Sequence, residues 1–180
     1  HEIVAGAVWA AQEYGVAIEL VGKQDRIEQE LDKITHEGFY SDCGKAGKQY
    51  RIKIDTSKLD IKITHASEII EMGEAPGQAI RKKKKSSIVL AVAAVAEGSS
   101  DAVVAAGSTG AAMASSLFGL GRLQGIDRPA IAVTLPTIKR PIVVIDGGAN
   151  SNCTPEMLMQ FAIMGATFSK NVLGIEHPRV

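Results

Sequence analysis

Val16-Ala-Ile-Glu-Leu-Val21 is a short β-rich apolar segment closed by Gly22, and it reads as a buried strand. Upstream, Ile3, Val4, Ala7, Val8, Ala11 and Tyr14 recur at helical spacing until Gly15 ends the run. Downstream, Asp25 to about His36 carries Ile27, Leu31 and Ile34 on one face and charges elsewhere, a surface helix stopped by Gly38. Phe39 to Lys48 is polar and contains glycine, and reads as a loop. Tyr50-Arg-Ile-Lys-Ile and Leu59-Asp-Ile-Lys-Ile alternate as half-buried strands do.

The alternation continues. Pro76 opens a short helix that runs into Arg81-Lys-Lys-Lys-Lys85, and Ser86/Ser87 caps a helix from Ile88 to Ala96 that ends at Gly98. Ala102–Ala106 reads as a small apolar strand, followed by Gly107-Ser-Thr-Gly110 and an Ala/Met/Leu-rich helix to about Leu120. Ala130–Leu135 and Ile142–Ile145 are two further strands, set apart by Pro136 and Pro141. Thr154-Pro155-Glu156 joins an N-cap residue, a proline at the first helical position and an acid in the first turn, so a helix runs from there to Leu173 with Gly174 as its stop. Helices alternating with strands that are apolar on both faces predict an α/β fold, a mostly parallel sheet covered on both sides.

Composition bounds the function. The 180 residues suit a single α/β domain spanning 1–180. The chain starts at His1 inside a helical pattern and ends as if leading into another strand, so the expectation is a fragment of something larger. Lys+Arg and Asp+Glu tie at 20 each, which argues against whole-surface attraction to nucleic acid. Aromatics at 4% are too few for a base-stacking platform. Cys43 and Cys153 form no C-x-x-C pair and read as two reduced thiols. The apolar run Ile88–Ala96 is far short of the roughly 20 residues that span a bilayer. No signal peptide is visible, so the expectation is a soluble cytoplasmic protein.

Seven of the 18 glycines lie between Gly107 and Gly148, and four of them, Gly107, Gly110, Gly147 and Gly148, stand at two turns that follow expected strands. Ligands of open α/β sheets bind at such strand ends. In Gly107-Ser108-Thr109-Gly110, exposed N–H groups and a helix start favour an anion, most often phosphate. A tight turn with Ser108 or Thr109 as N-cap explains the same residues. In Asp146-Gly147-Gly148-Ala149-Asn150 the glycines admit a ligand close to the backbone, while Asp146 and Asn150 add an acceptor and an amide; a capped turn is the alternative. The Arg81–Lys85 run is either a solvated helix end or a local attractor for an acidic or phosphorylated partner, with Arg128, Lys139 and Arg140 adding charge. No Walker motif, dinucleotide fingerprint or nucleophile elbow is present, and His1, His36, His65 and His177 lack ligand spacing.

Six segments occur together and in order: Ala66-Ser-Glu-Ile-Ile-Glu-Met72, Arg81–Lys84 with Ser86-Ser87, Ala105-Ala-Gly-Ser-Thr-Gly-Ala111, Gly125-Ile-Asp-Arg-Pro-Ala130, Asp146-Gly-Gly-Ala-Asn150, and Pro155-Glu through Gly174-Ile-Glu-His-Pro-Arg179. In these the chain resembles the amino-terminal portion of the bacterial phosphate acyltransferases of phospholipid synthesis, the PlsX family. The resemblance implies a three-layer Rossmann-like sandwich, similar to isocitrate dehydrogenases and phosphotransacetylases and incomplete here. It implies transfer of a fatty acyl group from acyl-acyl carrier protein to inorganic phosphate, without a cofactor, by a homodimer in peripheral contact with the cytoplasmic membrane. Asn150, Asp146 and Thr109 are then the catalytic candidates. Gly107, Ser108, Thr109, Gly110, Gly148, Lys82, Lys83 and Lys85 are the candidates for binding substrate or phosphate. The family usually has Asn where Ser108 stands, Val where Gly147 stands, and an acid where Asn152 stands. Two other readings are a phosphate acetyltransferase-like enzyme using acyl-CoA and a non-catalytic module that binds carrier protein or dimerises.

Overall fold

A computed structural model describes residues 1–41 and 50–180, which fall into two compact units, His1–Ser115 and Ser116–Val180. Cys43 lies outside the described residues, as does most of the expected loop at 39–48.

The first unit begins with helix α1 (Glu2–Tyr14), whose C-cap Gly15 takes φ 64 and donates its N–H to Ala11 O. Strand β1 (Ile18–Gly22) and helix α2 (Gln24–His36) follow as expected. Gly38, at φ 76, turns the chain out of α2, and a Cβ there would collide with Ile52 O, so both conformation and space demand glycine. The chain then enters strand β2 (Phe39–Ser41), antiparallel to β3 (Tyr50–Ile52), where the sequence suggested only a loop. Phe39 drives this: its ring is buried in the core and packs 6.4 Å from that of Trp9.

Strand β4 (Ile61–His65) lies parallel to β1, with Ile18 opposite Ile61 and Gly22 opposite His65. A parallel partner requires a long crossover, which α2 and the β2–β3 pair supply. Helices α1 and α2 pack on each other and on β1, and α2 also meets β4. The core gathers Val4, Val8, Leu20, Ile27, Ile34 and Phe39. Val8 and Ile34 are fully buried, each worth about 1.5–3 kcal/mol relative to exposure. Helices α3 (Pro76–Lys82) and α4 (Ser87–Ala96) follow, and α4 packs on β1.

The run Ala102–Ala106 is not a strand. It is irregular, and Val104 is 96% exposed. A strand exists through its ladder, and none of the described strands pairs with this stretch. Helix α5 (Thr109–Gly119) comes next.

In the second unit, β5 (Ala132–Leu135) and β6 (Ile142–Ile145) fall where the apolar runs predict. They pair antiparallel, however, with Leu135 opposite Ile142. The six residues between them suffice for a hairpin connection and not for a parallel crossover. Helix α6 (Pro155–Leu173) packs on β6. Thr154 caps it by accepting the Met157 N–H at 3.3 Å, and Gly174 ends it at φ 66. The described chain is thus α/β with one two-stranded parallel sheet and two antiparallel pairs. No helix among the described residues is long and apolar enough to cross a membrane.

Candidate functional site

The candidate residues lie on three stretches: the basic run and the α5 turn in the first unit, and the Asp146–Asn150 turn in the second.

At the α5 turn, Ser108 is the cap. Its Oγ accepts the Ala111 N–H at 3.3 Å and its carbonyl accepts the Ala112 N–H at 2.9 Å. No acceptor among the described residues meets the N–H groups of Thr109 and Gly110, two of the orphan donors every helix start leaves. Thr109 is exposed, and Gly107 has open space around it. A Cβ on Gly110 would stand 2.7 Å from Pro76 Cγ, so the start of α3 is pressed against the start of α5. The turn therefore offers two backbone donors and two hydroxyls to an anion. It follows an irregular segment, not the end of a strand as expected.

The basic run divides by orientation. Lys83 turns inward: its Nζ lies 2.5 Å from Glu74 Oε1 and donates to Ile69 O at 2.7 Å. The Glu71 N–H and then Lys83 hold the Glu74 carboxyl below its ordinary pKa. Glu68 Oε2 accepts the Lys85 N–H at 2.7 Å, while Ser86 Oγ, 1% exposed, donates to Lys83 O at 2.8 Å. Lys82, Lys84 and Lys85 keep their side chains in solvent. Lys82 and Lys85 are thus available to an anionic partner, and Lys83 is committed to the fold.

At the second turn, Asp146 organises everything around it. Its Oδ1 accepts the Ile131 N–H at 2.8 Å, and its Oδ2 accepts the Asn150 N–H at 2.6 Å and Asn150 Nδ2 at 3.1 Å. Burial disfavours the charged carboxyl. The N–H groups of Ile131 and Asn150, the Asn150 amide and the Ala149 N–H outweigh that cost and hold the pKa below its ordinary value. Asn150 Nδ2 also donates to Pro129 O at 3.0 Å. Both amide hydrogens are therefore spent, and the side chain cannot serve as an oxyanion donor. Its Oδ1 is buried and meets no partner. Gly147 donates its N–H to Ile131 O at 2.7 Å, and a Cβ on it would stand 2.5 Å from Val133 Cγ2. The valine that the resembled family usually carries at this position does not fit here without repacking. Gly148, at φ 96, has open space around it.

Three groupings had no clear signal in sequence. Glu19 on β1 gathers the Thr64 hydroxyl, Lys62 and Ser100, which hold its carboxyl below its ordinary pKa. The parallel register, which sets Glu19 opposite Lys62, brings Lys62 and Thr64 to it, and Ser100 reaches it from beyond α4. Asp127 and Gln160 bond reciprocally, N–H to Oε1 at 2.9 Å and Nε2 to Oδ2 at 2.8 Å. His65 Nδ1 accepts the Gln24 N–H at 3.3 Å, satisfying the first turn of α2, which places this histidine in a structural role. Cys153 is a free, exposed thiol.

The sequence profile of a family described as "Fatty acid synthesis protein" matches residues 45–180. The chain belongs to that family. Like it in sequence is a "Phosphate acyltransferase" of Desulforamulus reducens, 50% identical over 179 residues, which are 99% of this chain and 47% of the relative. Proteins of the same name from Heliobacterium modesticaldum and Pelotomaculum thermopropionicum are 48% and 45% identical, over 99% and 100% of this chain and 48% and 46% of their own lengths. This member of the fatty acid synthesis protein family spans about half the length of the curated relatives it matches.

Proposed function

We propose that the chain is part of a phosphate acyltransferase that moves a fatty acyl group from acyl-acyl carrier protein to inorganic phosphate, supplying acyl phosphate for phospholipid synthesis. The observation that carries this reading is the start of α5, where the unmet N–H groups of Thr109 and Gly110 stand beside the Ser108 and Thr109 hydroxyls. Such a start binds a tetrahedral anion through its dipole and donors. The name shared by the relatives supports the same chemistry.

Phosphate is itself the nucleophile. An oxygen lone pair of phosphate attacks the thioester carbonyl carbon. The new C–O bond forms, the C–S bond breaks, and the carrier-protein thiolate leaves to take up a proton from solvent. A thiol of pKa about 8.5 needs little assistance to depart. What the protein must provide is orientation and charge stabilisation. Thr109, Ser108, Gly107 and Gly110 hold the phosphate. In the second unit, Asp146 with Asn150 fixes the turn that carries Gly148. Lys82 and Lys85 meet the anionic substrate or the acidic carrier protein.

The parallel β1–β4 pair with its flanking helices is compatible with a Rossmann-like three-layer sandwich, and the proposal extends to that fold. It extends also to a homodimer in the cytoplasm with peripheral membrane contact. The test is acyl-phosphate formation from acyl carrier protein thioester and phosphate, with acyl-CoA as the competing donor. Product formation from the carrier-protein thioester supports the reading. Preference for acyl-CoA assigns a phosphate acetyltransferase-like enzyme, and carrier-protein binding without product assigns a binding module.

A further inference from the structure

We propose that the tip of the β5–β6 hairpin, residues 137–140, is a contact for an anionic lipid surface: Ile138 enters the interface, and Lys139 and Arg140 meet the headgroup phosphates. The inference rests on the reading of the protein as one in peripheral contact with a membrane, and it names the surface that makes the contact.

The tip is closed by its own chemistry. Thr137 Oγ1 donates to Arg140 O at 2.6 Å and accepts the Arg140 N–H at 3.4 Å. Both bonds satisfy backbone groups inside the turn, as an environment poor in water requires. Ile138 and Lys139 stand at the centre of this turn, and Ile138 is fully exposed. Behind it, Leu135 and Ile142 face each other across the two strands and are exposed as well. Pro136 and Pro141 flank the turn, also exposed. A single exposed apolar side chain is ordinary, but here five apolar residues are gathered at one end of a hairpin, which marks a contact surface.

Charge selects the partner. Residues 128–145 hold Arg128, Lys139 and Arg140 and no Asp or Glu, in a chain whose net charge is zero. The Lys139 and Arg140 side chains are exposed and have no ion-pair partner among the described residues. Long basic side chains beside an apolar wedge suit the boundary between acyl chains and anionic headgroups. Each such cation strengthens binding to an anionic leaflet about 5-fold. A stable protein partner covers about 800 Å² per side and centres on a well-packed pocket. A turn of four residues offers neither, whereas a bilayer requires no pocket.

The experiment is co-sedimentation of the full-length protein with vesicles of phosphatidylcholine alone and with vesicles of phosphatidylcholine and phosphatidylglycerol in equal parts. The parent is expected to bind the anionic vesicles and to release them as salt is raised. Ile138→Ser should weaken that binding about 10-fold, by the apolar area kept in water. Lys139→Gln with Arg140→Gln should weaken it about 30-fold, two 5-fold effects multiplied, and erase the preference for phosphatidylglycerol. In Ile138→Trp the indole emission should shift to the blue when anionic vesicles are added, which reports the tip itself. All these positions are exposed, so unchanged melting temperatures are expected. Binding that survives in both loss variants, or an indole emission that vesicles leave unmoved, overturns this inference alone and places the membrane contact elsewhere. A parent that binds neither vesicle overturns the membrane reading and this inference together. Loss of carrier-protein binding in the variants with vesicle binding intact overturns it too, assigning the tip to a protein partner. Acyl-phosphate formation without vesicles is expected to be the same in Ile138→Ser as in the parent, which separates the fate of this inference from that of the acyltransferase reading.

Discussion

Pro76 Cγ occupies the space a side chain on Gly110 would need, 2.7 Å from the position of its Cβ. The beginnings of α3 and α5 are therefore locked by a contact that only glycine permits. Gly110→Ala is expected to push the first turn of α5 away from Pro76 at a cost of about 1–3 kcal/mol, the usual range for overpacking. Pro76→Ala in the same chain should recover part of that loss. Urea denaturation midpoints of the single and double variants check the coupling, and additive effects would argue against it.

Gly147 is held by Val133 in the same manner, with 2.5 Å between the Cβ position and Val133 Cγ2. Gly147→Val is expected to destabilise this protein by about 1–3 kcal/mol. Val133→Ala should rescue it, since it removes the obstructing methyl. If Gly147→Val alone leaves the thermal midpoint unchanged, the packing described here is wrong.

The Asp146 carboxyl ionises below its ordinary value in the folded chain. A folded pKa lower than the unfolded one means the unfolded chain binds more protons on the acid side, so stability rises with pH there. The contribution is fully present above the ordinary carboxylate value of 3.8 and is lost as pH falls through the lower folded value. Asp146→Asn should lower stability at neutral pH and flatten the acid limb of the profile. Denaturant titrations from neutral pH down to about 2 provide the comparison.

Thr154 caps α6 through the Met157 N–H. Thr154→Ala is expected to cost about 1 kcal/mol and Thr154→Ser almost nothing. Amide exchange in the first turn of α6 should quicken in the alanine variant only.

Lys83 and its neighbours separate fold from function. Lys83 Nζ is engaged by Glu74 and Ile69, whereas the side chains of Lys82 and Lys85 stand in solvent. Lys83→Ala should lower the melting temperature by a few degrees, given about 1 kcal/mol for a half-buried pair with its hydrogen bonds. Lys82→Ala and Lys85→Ala should leave it unchanged while weakening the proposed acyl transfer of the full-length protein. Equal stability losses at all three positions would contradict this division.

Elements bounded by their own chemistry were legible in the sequence. Glycines after α1 and α2, and the Thr154-Pro155 start with the Gly174 stop of α6, mark ends that depend on one or two residues. Strands β1, β4, β5 and β6 were legible as apolar or alternating runs. The direction of β5 against β6 was present in the short Pro136–Pro141 connection, which the expectation of a parallel sheet overrode. Ala102–Ala106 has the composition of a strand, but composition supplies no neighbour. At the candidate site, the glycines at 107–110 and 146–150 marked bends of the chain, and bends are found at both places. The inward turn of Lys83 and the two spent hydrogens of Asn150 were not legible, because their acceptors, Ile69 O, Glu74, Pro129 O and Asp146, are set by how the chain packs.

The parallel register that sets Ile18 opposite Ile61 also governs how the first unit is reached. The chain must close a loop of about 40 residues before β1 and β4 exchange their first hydrogen bond, an entropic debt settled late. The β5–β6 pairing closes across a few residues, from Leu135 to Ile142. Topology of this kind slows the search for the native state. In refolding, native contacts at β5–β6 should form ahead of those at β1–β4, which leaves the sheet carrying Glu19 and His65 as the slow step in the life of a newly made chain.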